Sequence, residues 1–295
     1  MIVATTRAEM EAARDTLPGP VVLVPTMGAL HDGHRALLAR AREVAGQPGT
    51  VVVSIFVNPL QFGPNEDLDR YPRTLPADLE VCEAAQVDLV FAPGVHEMYP
   101  SQQLVTVDPG PAGDILEGEF RAGFFRGVLT VVIKLFSVVR PDVAVFGQKD
   151  AQQLTLVRRM VADFALGIEI EAVPTVRAAD GLALSSRNKY LSSSERAVAP
   201  VLQRALAAGA AAAAAGPTAV LGAARQILDR EGTAFAVDYL DLVEGGTYVP
   251  VRDDEFRGAA VLAIAARLGS TRLIDNVPVQ VGTGQGEMAE HAADD

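Results

Sequence analysis

The sequence predicts an α/β fold, a Rossmann-like doubly wound parallel sheet with a second, smaller α+β domain. Three observations carry this prediction. Residues 21–24, 50–57 and 142–146 are apolar almost throughout, as strands covered on both faces must be. Segments with helical spacing of apolar residues separate them, which is the alternation of a parallel sheet. After about Thr175 the pattern changes to polar loops, alanine-rich helix and alternating strands. The expected domains are a larger 1–175 and a smaller 176–280. Residues 281–295, glycine-rich and then acidic, are an expected disordered tail.

Residues 21–24 form the first strong strand. They lead into Pro25-Thr26-Met27-Gly28-Ala29-Leu30-His31-Asp32-Gly33-His34 and then a helix carrying Leu37, Leu38, Ala41, Val44 and Ala45, stopped by Gly46 and Pro48. Asp32 is the expected N-cap. Residues 50–57 are the second buried strand. The connection 58–76, rich in Pro, Asp and Gly, has a length that compact domains reserve for function. Residues 77–85 read as a short helix, 88–91 as a strand and 104–107 as a further short strand. Residues 114–126, glycine-rich and mixed in charge, are expected to be mobile, with 113–126 as a lid. A helix over 127–139 presents Leu129, Val132, Ile133, Phe136 and Val139. Residues 142–146 are a strand, Gly147-Gln148-Lys149-Asp150 its turn, and a helix follows to about Phe164 with Leu154, Val157, Val161 and Phe164 inward. Residues 168–176 supply one or two more strands. In the second domain Asp180-Gly181 is a turn. Ser192-Ser193-Ser194-Glu195 is a capping box opening one long helix through the alanine run 205–215. A helix over 217–230 and strands over 235–243, 259–266 and 271–276 complete it.

The candidate site begins at the 25–34 turn. A strand-to-helix turn offers free backbone N–H groups and the positive end of the helix dipole, and Gly28 and Gly33 allow close approach. His31 and His34, two of the chain's four histidines, stand at its mouth. Together these features suit a polyphosphate; a pair of solvated surface histidines is the plainer alternative. Their spacing does not fit a zinc helix. Asn58 and Gln61 follow the second central strand and suit a hydroxylated organic acid, or simply a polar loop satisfying its own backbone. Lys149 sits at a helix N-terminus, a poor place for a cation unless an anion binds there. Asp150 with Gln153 is either a capping box or part of the site. Leu184-Ser185-Ser186-Arg187-Asn188 is either an anion clamp or an ordinary polar loop.

Composition narrows the class. The 295 residues carry a formal net charge of −12, which argues against a nucleic-acid surface. The lone Cys82 excludes a disulfide framework and a thiolate metal site, and reads as a small packed hydrophobe. Residues 1–10 lack an apolar signal-peptide core, and no apolar run reaches membrane-spanning length. A cytoplasmic protein with no membrane partner is expected. Neither a Walker A sequence nor a dinucleotide fingerprint is present.

Placed in order, five motifs closely resemble the pantoate–β-alanine ligase (pantothenate synthetase) family: PTMGALHDGH, NPLQF with EDLDRYPRT, GVLTVV-KLF, FGQKDAQQL and TVRAADGLALSSRN. The resemblance spans about residues 21–277. Its first motif is shared with a wider superfamily of nucleotidyltransferases with an HxGH-type turn. It implies ATP-dependent ligation of (R)-pantoate and β-alanine to pantothenate through a pantoyl-adenylate, releasing AMP and pyrophosphate. It implies a homodimer and Mg²⁺ carried with the nucleotide, with no protein metal site. By position, Met27, Gly28, Ala29, Leu30, His31, Asp32, Gly33, His34, Gly147, Gln148, Lys149, Asp150, Val176, Leu184, Ser185, Ser186 and Arg187 would line the ATP site. Gln61, Gln153 and Asn58 would bind pantoate and β-alanine. His34, His31 and Lys149 would be catalytic, His34 as proton donor. Two positions depart from the family pattern: Phe124-Phe125 stands where His-Phe is common, and Ala151 where an aromatic is common.

Overall fold

The computed structural model describes residues 1–64, 66–232 and 235–282. The chain divides into two compact units, Met1–Val176 and Arg177–Asp295.

The first unit is a six-stranded parallel sheet in the spatial order β1-β4-β3-β2-β5-β6. Its strands are β1 (Ile2–Ala4), β2 (Val21–Thr26), β3 (Thr50–Ile55), β4 (Leu89–Phe91), β5 (Val143–Gly147) and β6 (Glu169–Val173). Its helices are α1 (Arg7–Arg14), α2 (Asp32–Ala45), α3 (Leu75–Ala84), α4 (Val95–Met98), α5 (Glu117–Phe120), α6 (Phe124–Val139) and α7 (Ala151–Asp163). The order runs outward from β2 to β3 and β4 on one side and through β5 to β6 on the other. The switch point of the sheet therefore lies between β2 and β5, where open α/β sheets leave a crevice at the strands' carboxyl ends.

The unbroken apolar strands follow from burial on both faces. Val21, Leu23 and Val52 join the core that includes Val132 and Phe136 of α6 and Val157 of α7. Val22, Val24, Val51 and Val53 join Leu38, Ala41 and Ala45 of α2 and Cys82 of α3. Burying each such Val contributes on the order of 1.5–3 kcal/mol.

The structure differs from expectation at several local points. β1 and α1 were not anticipated; β1 pairs outside β4, and α1 is closed by a Thr6–Glu9 capping box. Residues 104–107 find no partner strand: Leu104 and Val105 are 83% and 80% exposed, and alternation without a ladder is only extended chain. Phe164 points outward because α7 ends at Asp163, one residue before it. Residues 168–176 supply one strand, β6.

The second unit pairs β7 (Ala236–Glu244), β8 (Gly258–Leu268) and β9 (Thr271–Val281) antiparallel in that order. Helices α8 (Ser193–Val198), α9 (Val201–Ala211) and α10 (Pro217–Arg230) accompany them. Leu202, Leu206, Val220 and Leu228 share a core with Leu240, Leu242, Leu262 and Ile264. Small residues on α9 make that contact possible: a Cβ on Gly209 would lie 2.4 Å from Leu262 Cδ2. The Ser192–Glu195 capping box forms as expected. The single long helix does not. Pro200, without an N–H, separates α8 from α9, and the alanine run ends in a 3-10 turn before Gly216 at φ +101°. β9 continues to Val281, so the expected tail loses its first residue to the sheet; residues 283–295 lie outside the described residues. Among the described residues no helix is long and apolar enough to cross a membrane.

Candidate active site

The loops leaving β2 and β5 flank the switch point, and both were singled out in the sequence. After β2 the chain turns through Gly28 (φ +81°) and Ala29 (φ +52°) into α2. The N-cap of α2 is His31, not Asp32: the His31 ring, not a carboxylate, accepts the Gly33 N–H, through Nδ1 at 3.1 Å. The His31 N–H in turn donates to His34 Nδ1 at 3.2 Å, a capping box built from two imidazoles. The ring centroids are 4.2 Å apart.

Most of the expected free backbone donors are engaged within the protein. The Gly28 N–H donates to Thr26 Oγ1, those of Ala29 and Leu30 to the Asp78 carboxylate, and that of His34 to the His31 carbonyl. Much of what the turn can offer an anion is therefore carried by the rings, beside the Met27 and Asp32 N–H groups. A ring nitrogen that accepts an N–H bears no proton, so the hydrogen-bond pattern assigns the proton of each neutral imidazole to Nε2. Burial first, then Lys149, holds the pKa of His31 below its ordinary value. Burial first, then His31, takes His34 down to about 3. Both rings are neutral Nε2–H donors near pH 7.

After β5 the chain enters a 3-10 turn, Gln148–Asp150, that runs into α7. Lys149 Nζ lies 3.1 Å from Asp150 Oδ1. The Asp150–Gln153 capping box does not form; Asp150 holds the N-cap position without a side-chain capping bond. Gln153, half-buried on the first turn of α7, makes no side-chain hydrogen bond among the described residues, whereas its neighbour Gln152 is buried and bonded to the Ala112 and Ile115 carbonyls and the Glu117 N–H.

After β3, Asn58 is 1% exposed and fully committed. Its Nδ2 donates to Gln61 Oε1 (3.0 Å) and the Gly127 carbonyl (3.1 Å), while Oδ1 accepts the Tyr99 hydroxyl (2.8 Å) and the Leu60 N–H (3.3 Å). All four of its hydrogen-bonding sites are used. Asn58 thus holds Gln61 through its side chain, and Gln61 Nε2 stands 3.3 Å from Met27 Sδ. The loop seats directly on α6, where a Cβ on Gly127 would lie 2.1 Å from the Leu60 carbonyl oxygen.

The glycine-rich segment is a built structure. Arg121 makes a two-pronged bridge to Glu66 (2.8 and 2.5 Å), donates to the Gln61 carbonyl, and lies 3.6 Å over the Phe124 ring. Phe124, at one of the two departures from the family pattern, supplies that platform. A hollow lined by Gln61, Glu66, Arg121 and Phe124 opens beside them.

Val176 lies beyond β6 at the end of the first unit. In the second unit Ser185 caps a 3-10 turn, Ser186–Tyr190, accepting the Arg187 N–H at 3.3 Å. Asn188 ties this turn to the Ala183 carbonyl, and Ala183 pairs with Arg177. Arg177 grips the nearly buried Asp275 of β9 at 2.6 and 2.9 Å. Leu184 is half-buried between that bridge and the turn.

The first unit thus brings together Met27–His34, Gln61 and Gly147–Asp150 around the ends of β2, β3 and β5. Sequence reading missed Thr26, Asp78, Tyr99, Gly127, Arg177 and Asp275. Asp78 carried a signal: it falls on the helical stripe of Leu75, Leu79 and Cys82, an acid on a face otherwise apolar. Among the described residues no three His, Cys, Asp or Glu side chains are grouped to hold a metal ion.

Comparison with known proteins identifies the family. The family model described as pantoate-beta-alanine ligase matches residues 2–278. The pantothenate synthetase of Thermobifida fusca is 61% identical, with 94% of this chain and 95% of that protein covered. The crystal structure of pantothenate synthetase from Thermus thermophilus aligns with a TM-score of 0.87 at 48% identity, covering 94% of this chain and 99% of that one. The pantoate-beta-alanine ligase of Francisella tularensis, solved with beta-gamma ATP and β-alanine, aligns with a TM-score of 0.77 at 33% identity, covering 96% and 99%. With fold, motifs and near-complete coverage in agreement, the chain belongs to the pantoate–β-alanine ligase family, ligases of pantothenate biosynthesis.

Proposed function

We propose that this enzyme joins (R)-pantoate to β-alanine in two steps, through a pantoyl-adenylate. The observation that carries the reading is the pair of neutral imidazoles opposite a lysine turn, at the crevice between β2 and β5. A carboxylate does not react with an amine near pH 7, because its leaving group is poor. In the first step a pantoate carboxylate oxygen bonds to the α-phosphorus of ATP and the bond to pyrophosphate breaks. In the second the amine of β-alanine bonds to the acyl carbon, the bond to AMP breaks, and the amine loses its proton.

Negative charge builds on the α-phosphate oxygens during the first step, and fixed donors lower that barrier most. His31 and His34 supply Nε2–H donors without bringing charge, and Lys149 supplies the charge. In the free enzyme burial takes the pKa of His34 down to about 3, so the ring meets the nucleotide as a neutral hydrogen-bond donor. Ser185, Ser186 and Arg187 are assigned to the nucleotide by the family motif. Gln61 and Gln153 present neutral amides, which suit pantoate's hydroxyls better than a phosphorylated substrate. Binding of beta-gamma ATP and β-alanine by the Francisella protein supports both as ligands here.

Mg²⁺ arriving with the nucleotide would supply charge neutralisation. Such an ion keeps phosphate and water ligands and needs few from protein, and Asp32 and Asp150 are the acids of these turns. The same reading carries a cytoplasmic homodimer, the latter checked by sedimentation equilibrium. The test of the reaction is its nucleotide product. With ATP, pantoate and β-alanine present, AMP forms in step with pantothenate. Formation of ADP instead would replace the adenylate with an acyl phosphate and overturn the proposal.

A further inference from the structure

The turn between β2 and α2 is bent at two successive left-handed residues, Gly28 and Ala29. Ala29 takes this conformation against the preference of its Cβ, so something outside the turn must hold it. The only described acceptor for the next two amides is one carboxylate. Asp78 Oδ2 accepts the Ala29 N–H at 3.1 Å, and Oδ1 accepts the Leu30 N–H at 2.8 Å. Asp78 stands on α3, 2% exposed, and Thr74 steadies it through a hydroxyl bond to Oδ2 at 3.1 Å. The fit is close on the other side as well. A Cβ on Gly28 would lie 2.9 Å from Asp78 Oδ2 and 3.0 Å from Ile55 Cγ2. Among the described residues no Lys, Arg or His pairs with this carboxylate, so N–H and O–H donors balance its charge, as charge-assisted bonds do well.

We propose that Asp78 is the positioning residue of this turn: its two oxygens fix the left-handed pair and so place Met27, His31 and His34. It touches no reacting atom. By occupying the Ala29 and Leu30 amides it also removes those two from anion recognition. The inference rests on reading the turn as the nucleotide site only where it concerns catalysis; its geometric part stands apart from that reading.

The test separates the two. Asp78→Asn keeps the shape but retains one oxygen, so one of the two amides must face an NH₂ group. In the full-length enzyme, hydrogen exchange at the Ala29 and Leu30 amides is expected to speed up by at least about tenfold, because protection falls with the bond that confers it. In steady-state assays the KM for ATP is expected to rise, or kcat to fall, by about ten- to a hundredfold, as misplacement of a reacting group does. The KM for β-alanine is expected to move less, since the amine enters only after the adenylate has formed. Thr74→Val, which removes only the supporting hydroxyl, is expected to move the same quantities in the same direction by a smaller factor. Unchanged amide exchange in a folded Asp78→Asn overturns the proposal. So does an equal rise in the KM for all substrates, which would mark a general loss of structure. Should Asp78→Asn fail to fold, wild-type exchange and kinetics in Thr74→Val overturn it. Faster amide exchange without any ATP-dependent activity in the wild type would instead reject the nucleotide reading and leave the positioning role intact.

Discussion

Gly127→Ala adds one methyl group at the point where the loop carrying Gln61 rests on α6. The new Cβ would lie 2.1 Å from the Leu60 carbonyl oxygen, 2.4 Å from its carbon and 2.7 Å from the Gln61 nitrogen. Ordinary contact begins near 3.4 Å, so the loop backbone must withdraw by roughly 1 Å or more. Backbone cannot rotate aside as a side chain can, and α6 is buried along this face. Overpacking of this kind costs about 1–3 kcal/mol, or a fall in Tm of roughly 2–5 °C for a chain of this size. The functional consequence is larger. Withdrawal stretches the Asn58 bond to the Gly127 carbonyl, and Asn58 orients Gln61. A displacement near 1 Å costs up to about a hundredfold in rate. The assay is AMP formation with pantoate varied at saturating ATP and β-alanine. The KM for pantoate is expected to rise or kcat to fall by about ten- to a hundredfold, with the KM for ATP nearly unchanged. A folded variant with wild-type pantoate kinetics refutes the claim that this contact places Gln61.

Four further outcomes follow from the geometry. His34→Ala is expected to lower kcat by about 10²–10³ and His34→Gln by less, since an amide can replace the Nε2–H; equal losses in both would refute the hydrogen-bond role. Because burial holds the pKa of His34 at about 3 when folded, against its ordinary value of 6.5 when unfolded, the unfolded chain takes up the proton first. Its contribution is present above pH 6.5 and is lost as pH falls toward 3, by about 1.4 kcal/mol per pH unit; denaturant titrations of wild type and His34→Gln across that window measure it, and equal slopes contradict it. Asn58→Ala strands the Tyr99 hydroxyl and the Gln61 oxygen and is expected to cost about 1–3 kcal/mol, whereas Gln61→Ala should cost pantoate affinity and little stability, both read by chemical denaturation and KM. Asp275→Asn loosens the Arg177 anchor of the Ser185–Arg187 turn, with about 1–3 kcal/mol lost and faster amide exchange at Arg187; unchanged exchange there would show that the turn stands without the anchor.

What the sequence displayed and what it hid divide along physical lines. β2, β3 and β5 were legible because burial on both faces leaves unbroken valine runs. The loops after them were legible because their polar residues interrupt those runs at the end of the sheet that forms the crevice. β1, three residues long, carries too little pattern to stand out, and residues 104–107 carry a strand's pattern without a partner to pair with. The helix start at His31 was hidden because an imidazole rarely caps; Asp32 is the commoner residue type for that place. The state of the turn's backbone donors was hidden for a different reason. Their acceptor, Asp78, arrives from α3, and no local pattern at 25–34 can announce it. Asn58 reads as a polar loop residue until Tyr99 and Gly127, far along the chain, are seen to consume its hydrogen bonds.

The adenylate step at the β2–β5 crevice is tested most directly by ATP–pyrophosphate exchange without β-alanine. Exchange is expected only when pantoate is present, and Lys149→Ala, which removes the charged donor beside His31 and His34, is expected to reduce it at least about a hundredfold. Exchange without pantoate, or exchange undiminished in Lys149→Ala, would contradict both the chemistry and its placement.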